Sequence, residues 1–393
     1  MSGVATGKTS HGPSPRLGAW FVALYVLGML LALALDAYEP LFLGLGVRGG
    51  QGTDFFCVPK AYLNLWAGHS AFDTWSAPAY GPYATWFVLH PAVALWIGGP
   101  LAWLPPWIAY GAFVLLTLGM LALCAALLSH HATPGWSRVL VWGALLASPI
   151  TYWLLFVGNV HGVLLVAVAL LLTGLLELSR PEQPVALGLS ARWKVGAGLL
   201  LSLLSKPLLV LLVPALLLLR ATRRPVLSAL AIYGLLSAAF LAVPALNPEP
   251  MGWARLWEVS TSPSWVQQHL NIYTNHFQLT AEMRDNAMHW LHMVAQSGFA
   301  WDHPQILSLP SLLRGLTGKT YPLQWLALLP ALLSPLLLLV RQESERARLG
   351  LWLLLLALAS HFLAYAVAWE YQYSQLLVVS AALWALPELL GPR

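Results

Sequence analysis

The feature that most constrains this chain is a series of apolar runs, each roughly 20 residues long, the length at which a helix crosses the hydrocarbon of a bilayer. They cover residues 17–37, 82–101, 106–129, 136–156, 160–178, 193–219, 225–245, 321–340, 349–369 and 373–390. The runs are continuous rather than alternating, so they predict helices and argue against a β-barrel. Only 9% of the residues are charged, whereas a soluble domain carries about 25%. The 20 tryptophans and 13 tyrosines suit the headgroup layer, where a ring with one polar atom is stable. The expected fold is all-α and polytopic, with about ten transmembrane helices, juxtamembrane helices on the outer face and a long outer loop.

The net charge of +5 is spread over short loops without a basic stripe, which argues against nucleic acid as a partner. Cys124 lies within an apolar run, so a disulfide with Cys57 is not expected, and no clustered His/Cys motif calls for a metal or other cofactor. Lys8 and Arg16 precede LGAWFVALYVLGMLLALALDA, a stretch with the look of a signal peptide. No small-residue cleavage site ends it and many further runs follow, so it reads as a retained first helix with its basic end in the cytoplasm. Residues 1–16 then form a flexible cytoplasmic tail, and 17–390 a single membrane domain with outer segments at 38–105 and 246–320.

Basic residues test how the runs are threaded. If each run crosses once, ten Lys and Arg fall outside and nine inside, with Lys206 stranded in a helix, and the positive-inside bias is absent. A second threading keeps ten crossings. It lets 82–101, which holds His90-Pro91 and Gly98-Gly99-Pro100, dip into the outer face as a broken helix. It also divides 193–219 at Ser205-Lys206-Pro207 into two short crossings. Arg138, Arg180, Arg192 and Lys194 then move to the cytoplasm, and the balance becomes thirteen inside against seven outside. This threading is preferred. RATRR (220–224) and RQESERAR (341–348) are cytoplasmic in both.

Several polar residues stand out against this background. Asp54, in GGQGTDFF, reads either as a helix N-cap or as a general base at the mouth of a helix bundle. The downstream CVPKAYLNLWAG predicts a short interfacial helix with Tyr62 and Trp66 on one face, while Asp73 reads first as a turn residue. Lys206 is the one charge inside LLLSLLSKPLLVLLVPALLLL. It either snorkels to the surface or meets an anion such as a phosphate. Asn159 and His161 occupy a turn between two apolar runs. The long outer loop supplies His269, His276 and Arg284, and an outer helix end carries Trp369, Glu370, Tyr371 and Gln372. Each of these is also explained as a solvated loop or interfacial residue.

The order of these elements resembles a known family. An outer Asp after the first helix, YGPY at 80–83 followed by LHP, Gly158-Asn159, Lys206-Pro207 and a late W-E-Y are arranged as in membrane glycosyltransferases of the C-type fold. The likeness is greatest to the polyprenol-phosphate-mannose-dependent mannosyltransferases of glycosyltransferase family 87. GTDFFCVPKAYLNLWAG matches that family's G-x-D-F element and the helix after it, which places Asp54 at the catalytic aspartate. His161 lies near the usual Asn of a G-Q-x-N turn. Two positions depart: Gly81 stands where the family has the leading proline of Y-P-P, and Glu370-Tyr371-Gln372 replaces a histidine-containing W-x-H-Y. The resemblance spans about residues 17 to 390.

It implies transfer of a sugar, mannose above all, from a polyprenyl-phosphate donor to a hydroxyl of a glycolipid or glycan. The site would face the periplasm or exterior of a bacterial inner membrane. One carboxylate base without a second carboxylate nucleophile fits single displacement with inversion. Lys206, Arg284, His276, Tyr371 and Gln372 are the candidates for the donor phosphate or lipid. Tyr62, Asp73, Tyr80, Tyr83, Asn159, His161, His269 and Glu370 are those for acceptor or sugar. The chemistry calls for no metal. Two alternatives share the same features: a transporter or flippase of lipid-linked sugar, and a glycan ligase or polymerase.

Overall fold

The computed structural model describes residues 14–35, 51–69, 71, 79–82, 87, 89–182, 185–242, 309, 313, 316–318, 323–364 and 374–385. Every regular element among them is helical. The first is α1 (Pro15–Ala34), followed by α2 (Cys57–Trp66) and the short α3 (Pro91–Ala102). Then come α4 (Pro106–His131), α5 (Trp136–Leu146), α6 (Pro149–Val157), α7 (His161–Ser179), α8 (Ala191–Ser205) and α9 (Pro207–Leu218). The chain continues through α10 (Arg223–Ala242), α11 (Leu326–Leu339), α12 (Glu343–Ala364) and α13 (Ser374–Ala385).

Among the described residues, four stretches are long and apolar enough to cross a membrane: Pro15–Ala34, Pro106–His131, Trp136–Val157 and His161–Ser179. The chain is thus a helical membrane protein. Three other apolar runs are shorter helices: α3, α9 and α11. Proline accounts for their shape, because it lacks the N–H that a continuous helix needs. Pro207 opens a 3-10 turn at Pro207–Leu212, and Pro335 sits in another at Ser334–Leu339. At 2.0 Å per residue for the 3-10 turn and 1.5 Å for the α turn, α9 is about 21 Å long, against the 30 Å or so of a hydrocarbon core. The described part of run 82–101 is not the broken helix expected: it starts at Pro91 and continues through Gly98-Gly99-Pro100, with a π turn at Ala94–Gly98. His90 Nδ1 accepts the Ala92 N–H at the start of α3, and its Nε2 lies 3.1 Å from Ser237 Oγ on α10. With Nδ1 accepting, the neutral ring donates from Nε2 to Ser237.

Two boundaries differ from the sequence reading. Run 136–156 is divided by Ser148-Pro149, where the Ser148 hydroxyl caps α6 by accepting the Thr151 N–H at 3.1 Å. The first helix begins at Pro15 with Ser14 as its cap, so Pro15 and Arg16 are helical rather than part of a tail.

α7 is the central helix. It is apolar on all sides and correspondingly buried on all sides, packing against α4, α8, α12 and α13. Lipid tails compete with side chains for apolar surface, so helices in a membrane associate best where small residues let backbones approach. α7 and α8 meet in this way, antiparallel: a Cβ added at Gly174 would lie 2.7 Å from Ala191 O, and one at Gly198 would lie 2.7 Å from Ala167 O.

The antiparallel pair defines two ends. At one, Glu177 Oε1 accepts from Lys194 Nζ at 2.5 Å, from His131 Nε2 at 3.2 Å and from the Ala186 N–H at 2.9 Å. This buried group ties α4, α7, α8 and the α7–α8 connection together. Pro225 packs on Gly196, and the Ala221 N–H reaches Glu343 Oε1, so the α9–α10 and α11–α12 turns share that end. So do the starts of α1 and α5, since Gly18 faces Trp136. Arg16, Arg138, Arg180, Arg192, Lys194, Arg220, Arg223, Arg224, Arg341, Arg346 and Arg348 all belong to this end. Among the described residues, the opposite end has Lys60 and Lys206 as its cations.

The close α7–α8 contact is testable. Gly198→Val should lower the melting temperature in detergent, with a cost of about 1–3 kcal/mol, the usual range for overpacking. Gly111→Ala, at a site with nothing within 4 Å of the new Cβ, should melt at or above the wild type. A Gly198→Val melt matching the wild type would contradict this packing.

Candidate functional site

The end of the bundle opposite Glu177 is organised by the C-terminus of α6. The last carbonyls of any helix lack partners within it and must find donors elsewhere. Here residues 51–56 supply them. The Gly52 N–H bonds Phe156 O at 2.7 Å and the Asp54 N–H bonds Val157 O at 2.8 Å. From α4, the Tyr110 hydroxyl sits 2.8 Å from Leu155 O and 3.0 Å from Phe156 O. Gly158 makes the approach possible. Its φ is +69°, and a Cβ there would fall 2.6 Å from Phe55 Cβ. Phe55 and Phe56 are fully buried, with ring centroids 5.0 Å from Phe113 and 5.3 Å from Trp107, respectively.

Clamped on both sides in this way, Asp54 faces the α6–α7 turn. Asn159 Nδ2 donates to Asp54 Oδ2 at 2.7 Å, while Asn159 Oδ1 accepts the His161 N–H at 2.9 Å. The N-cap position of α2 is Phe56, with no side-chain capping bond. The Asp54 carboxylate is therefore spent on Asn159 rather than on capping the helix that follows it.

The third component comes from the break between α8 and α9. A residue before proline is forced into extended backbone, and Lys206 has φ −138° and ψ 112°. Its carbonyl, released from the helix, accepts from Ser202 Oγ at 2.9 Å and the Leu208 N–H at 2.7 Å. The side chain is buried, and its charge acts on Asp54. Burial pushes the Asp54 carboxyl above the usual carboxylate range, opposed by the Asn159 hydrogen bond and by Lys206. Part of the Asp54 side chain nonetheless stays open to the surface.

Of the residues singled out in the sequence, the structure brings Asp54, Asn159, His161 and Lys206 together. His161 is buried at the first turn of α7. Tyr62 lies elsewhere on this end, stacked on Trp66 at 6.3 Å and edge-on to Trp103. Both tryptophans are exposed, as an interfacial belt requires. Tyr80 serves as an anchor, its hydroxyl 3.0 Å from Leu101 O and 2.8 Å from Leu104 O, and burial raises its pKa to about 12. Asp73, Tyr83, His269, His276, Arg284, Glu370, Tyr371 and Gln372 lie outside the described residues. Among the described residues, no three His, Cys, Asp or Glu side chains converge on a metal position.

Sequence reasoning missed two arrangements. One is the pairing of Asn159 with Asp54, separated by 105 positions. The other is the His131–Glu177–Lys194 group, whose only local sign is a lone acid inside the apolar LLELS. Comparisons of the chain with protein-family models, with curated proteins and with solved structures found no match.

The raised pKa of Asp54 has a stability consequence. Because its folded pKa exceeds the unfolded one, ionising Asp54 destabilises the fold. That cost is absent below the unfolded pKa, grows as pH rises toward the folded pKa and is constant above it. Asp54→Asn should therefore melt at or above the wild type at neutral pH, with the gap closing as pH falls through this window. Melting curves in one detergent across pH check this, and a variant clearly less stable at neutral pH would contradict the upward shift at Asp54.

Proposed function

We propose that this protein is a polyprenyl-phosphate-sugar-dependent glycosyltransferase of the C-type fold, with ten crossings, acting at the outer face of a bacterial inner membrane. The observation that carries the reading is the meeting of Asp54 and Lys206 at one end of the bundle, a carboxylate and an ammonium held by separate helix ends. Group transfer from a lipid phosphate uses both charges. The acceptor hydroxyl gives its proton to Asp54, and its oxygen attacks the anomeric carbon. The bond from that carbon to the phosphate oxygen breaks, and the polyprenyl phosphate departs with the electron pair. A base works best with a pKa near the working pH, and the upward shift at Asp54 goes in that direction. Lys206 stabilises the charge growing on the phosphate. The donor sugar is mannose and the acceptor a glycolipid or glycan, on the strength of the order of motifs.

The orientation draws on charge. The basic residues gathered at the Glu177 end support a cytoplasmic position for that end. Asp54 and Lys206 then face the periplasm or exterior, where a lipid-linked sugar would be used. The break at Lys206 also suits a flippase, since discontinuous helices line many transport sites. Liposomes holding purified lipid-linked sugar with acceptor distinguish transfer from flipping.

Two experiments test the proposal. Asp54→Asn keeps the shape and the bond from Asn159 but removes the proton acceptor, so transfer should fall by about 10²-fold or more at saturating donor and acceptor. Lys206→Met should chiefly weaken donor binding. Near-wild-type turnover in Asp54→Asn would refute the assignment. Orientation is tested with an impermeant thiol reagent on intact cells. A cysteine at the exposed His69 should label and one at the exposed Glu182 should not, against a background in which Cys57 and Cys124 are buried. Labelling at position 182 from outside would invert the topology.

A further inference from the structure

We infer that Asn159 is a positioning residue that holds Asp54 Oδ2 and thereby turns Oδ1 toward the acceptor hydroxyl; the inference rests on the reading of Asp54 as the base. As read from the sequence, Asn159 was a candidate contact for the acceptor or its sugar. The structure commits both ends of its amide to protein. The orientation of that amide is not arbitrary. The His161 N–H can only meet an oxygen, so the NH₂ group must face the carboxylate, and a flipped amide would set oxygen against oxygen.

The result is an asymmetric carboxylate. Oδ2 accepts at 2.7 Å from Asn159, whereas Oδ1 accepts no hydrogen bond from any described residue. A base needs this division: one oxygen fixed by a donor and the other clear to receive a proton. The backbone of Asp54 is fixed independently by Val157 O, and its own carbonyl accepts from the Cys57 thiol at 3.1 Å. Asn159 thus governs the remaining freedom, the rotation of the side chain.

Among the described residues, two side chains act on the Asp54 carboxylate. The α6–α7 turn contributes Asn159, and the α8–α9 break contributes Lys206. From α4 comes Tyr110, whose hydroxyl is turned to the carbonyls of Leu155 and Phe156; His161 is buried at the start of α7, and Cys57 opens α2. Asn159 is the one of these that bonds the carboxylate directly.

Asn159 has two separable roles, and one substitution separates them. Asn159→Asp is isosteric and keeps an oxygen for the His161 N–H at the first residue of α7, but the donor to Asp54 is lost. It also sets a second carboxylate beside the first. Asn159→Ala removes both roles. The readout is the acid limb of kcat/KM against pH, which reports ionisation of the base in the free enzyme. Asn159→Ala should move that limb up by about one pH unit, the worth of one hydrogen bond to a charged acceptor. Asn159→Asp should move it further, because two adjacent carboxyls share a proton. A merely structural role predicts that Asn159→Ala loses stability but keeps the wild-type pH profile; that result overturns the inference. Asp54→Asn is assayed alongside. If Asp54→Asn is inactive while Asn159→Ala keeps the wild-type profile, positioning falls and the base assignment stands. If Asp54→Asn is active, the base assignment fails and this inference fails with it.

Discussion

Three carbonyls at the end of α6 need hydrogen-bond donors, and the way they find them shapes the rest of this end of the molecule. In water such groups would be solvated. At the edge of a helix bundle in a membrane, leaving them unpaired costs several kcal/mol each, so protein must come to them. The N–H groups of Gly52 and Asp54 and the hydroxyl of Tyr110 do so. The loop bearing Asp54 is thus held by backbone bonds that do not depend on the aspartate side chain. That leaves the carboxylate available for chemistry, and it explains how a carboxylate can sit in a setting that disfavours its charge.

The same reasoning covers the break at Lys206. Pro207 ends α8, and the Lys206 carbonyl at the break is taken up by Ser202 and Leu208 within the same two helices. The break is therefore satisfied locally. What it does for the site is deliver a cation from a buried helix end to the neighbourhood of Asp54. The α7–α8 pair makes this delivery reproducible. Their close approach at Gly174 and Gly198, and the Glu177–Lys194–His131 group at the far end, fix the register of α8 against α7. A shift of one turn would move Lys206 by about 5 Å and separate it from Asp54.

Polarity divides the molecule along its length. At the Glu177 end, buried charges pair with one another and surface arginines surround them. At the Asp54 end, the described surface is dominated by exposed rings, with Trp66 and Trp103 edge to face at 5.8 Å. The first arrangement suits a structural clamp beside a headgroup layer rich in anions. The second suits a surface on which amphipathic rings fix the depth of a cavity in the bilayer.

The sequence by itself determined the class of fold: long apolar runs in a chain with few charges can satisfy their backbones in lipid only as helices. It also determined the break at Lys206-Pro207, because proline's missing N–H is a local property that no tertiary contact restores. The α2 helix and the shared face of Tyr62 and Trp66 were legible for a similar reason, since spacing alone sets them. Tertiary structure decided what Asp54 touches. Capping and catalysis require the same residue type in the same kind of loop, and only the arrival of Asn159 from five helices further along the chain shows that the side chain is not used as a cap. It also decided that Glu177, Lys194 and His131 form one group, because their meeting depends on the register of three helices. Such register is set by the fit of small residues across whole helix faces, a property of the packed bundle and not of any one segment.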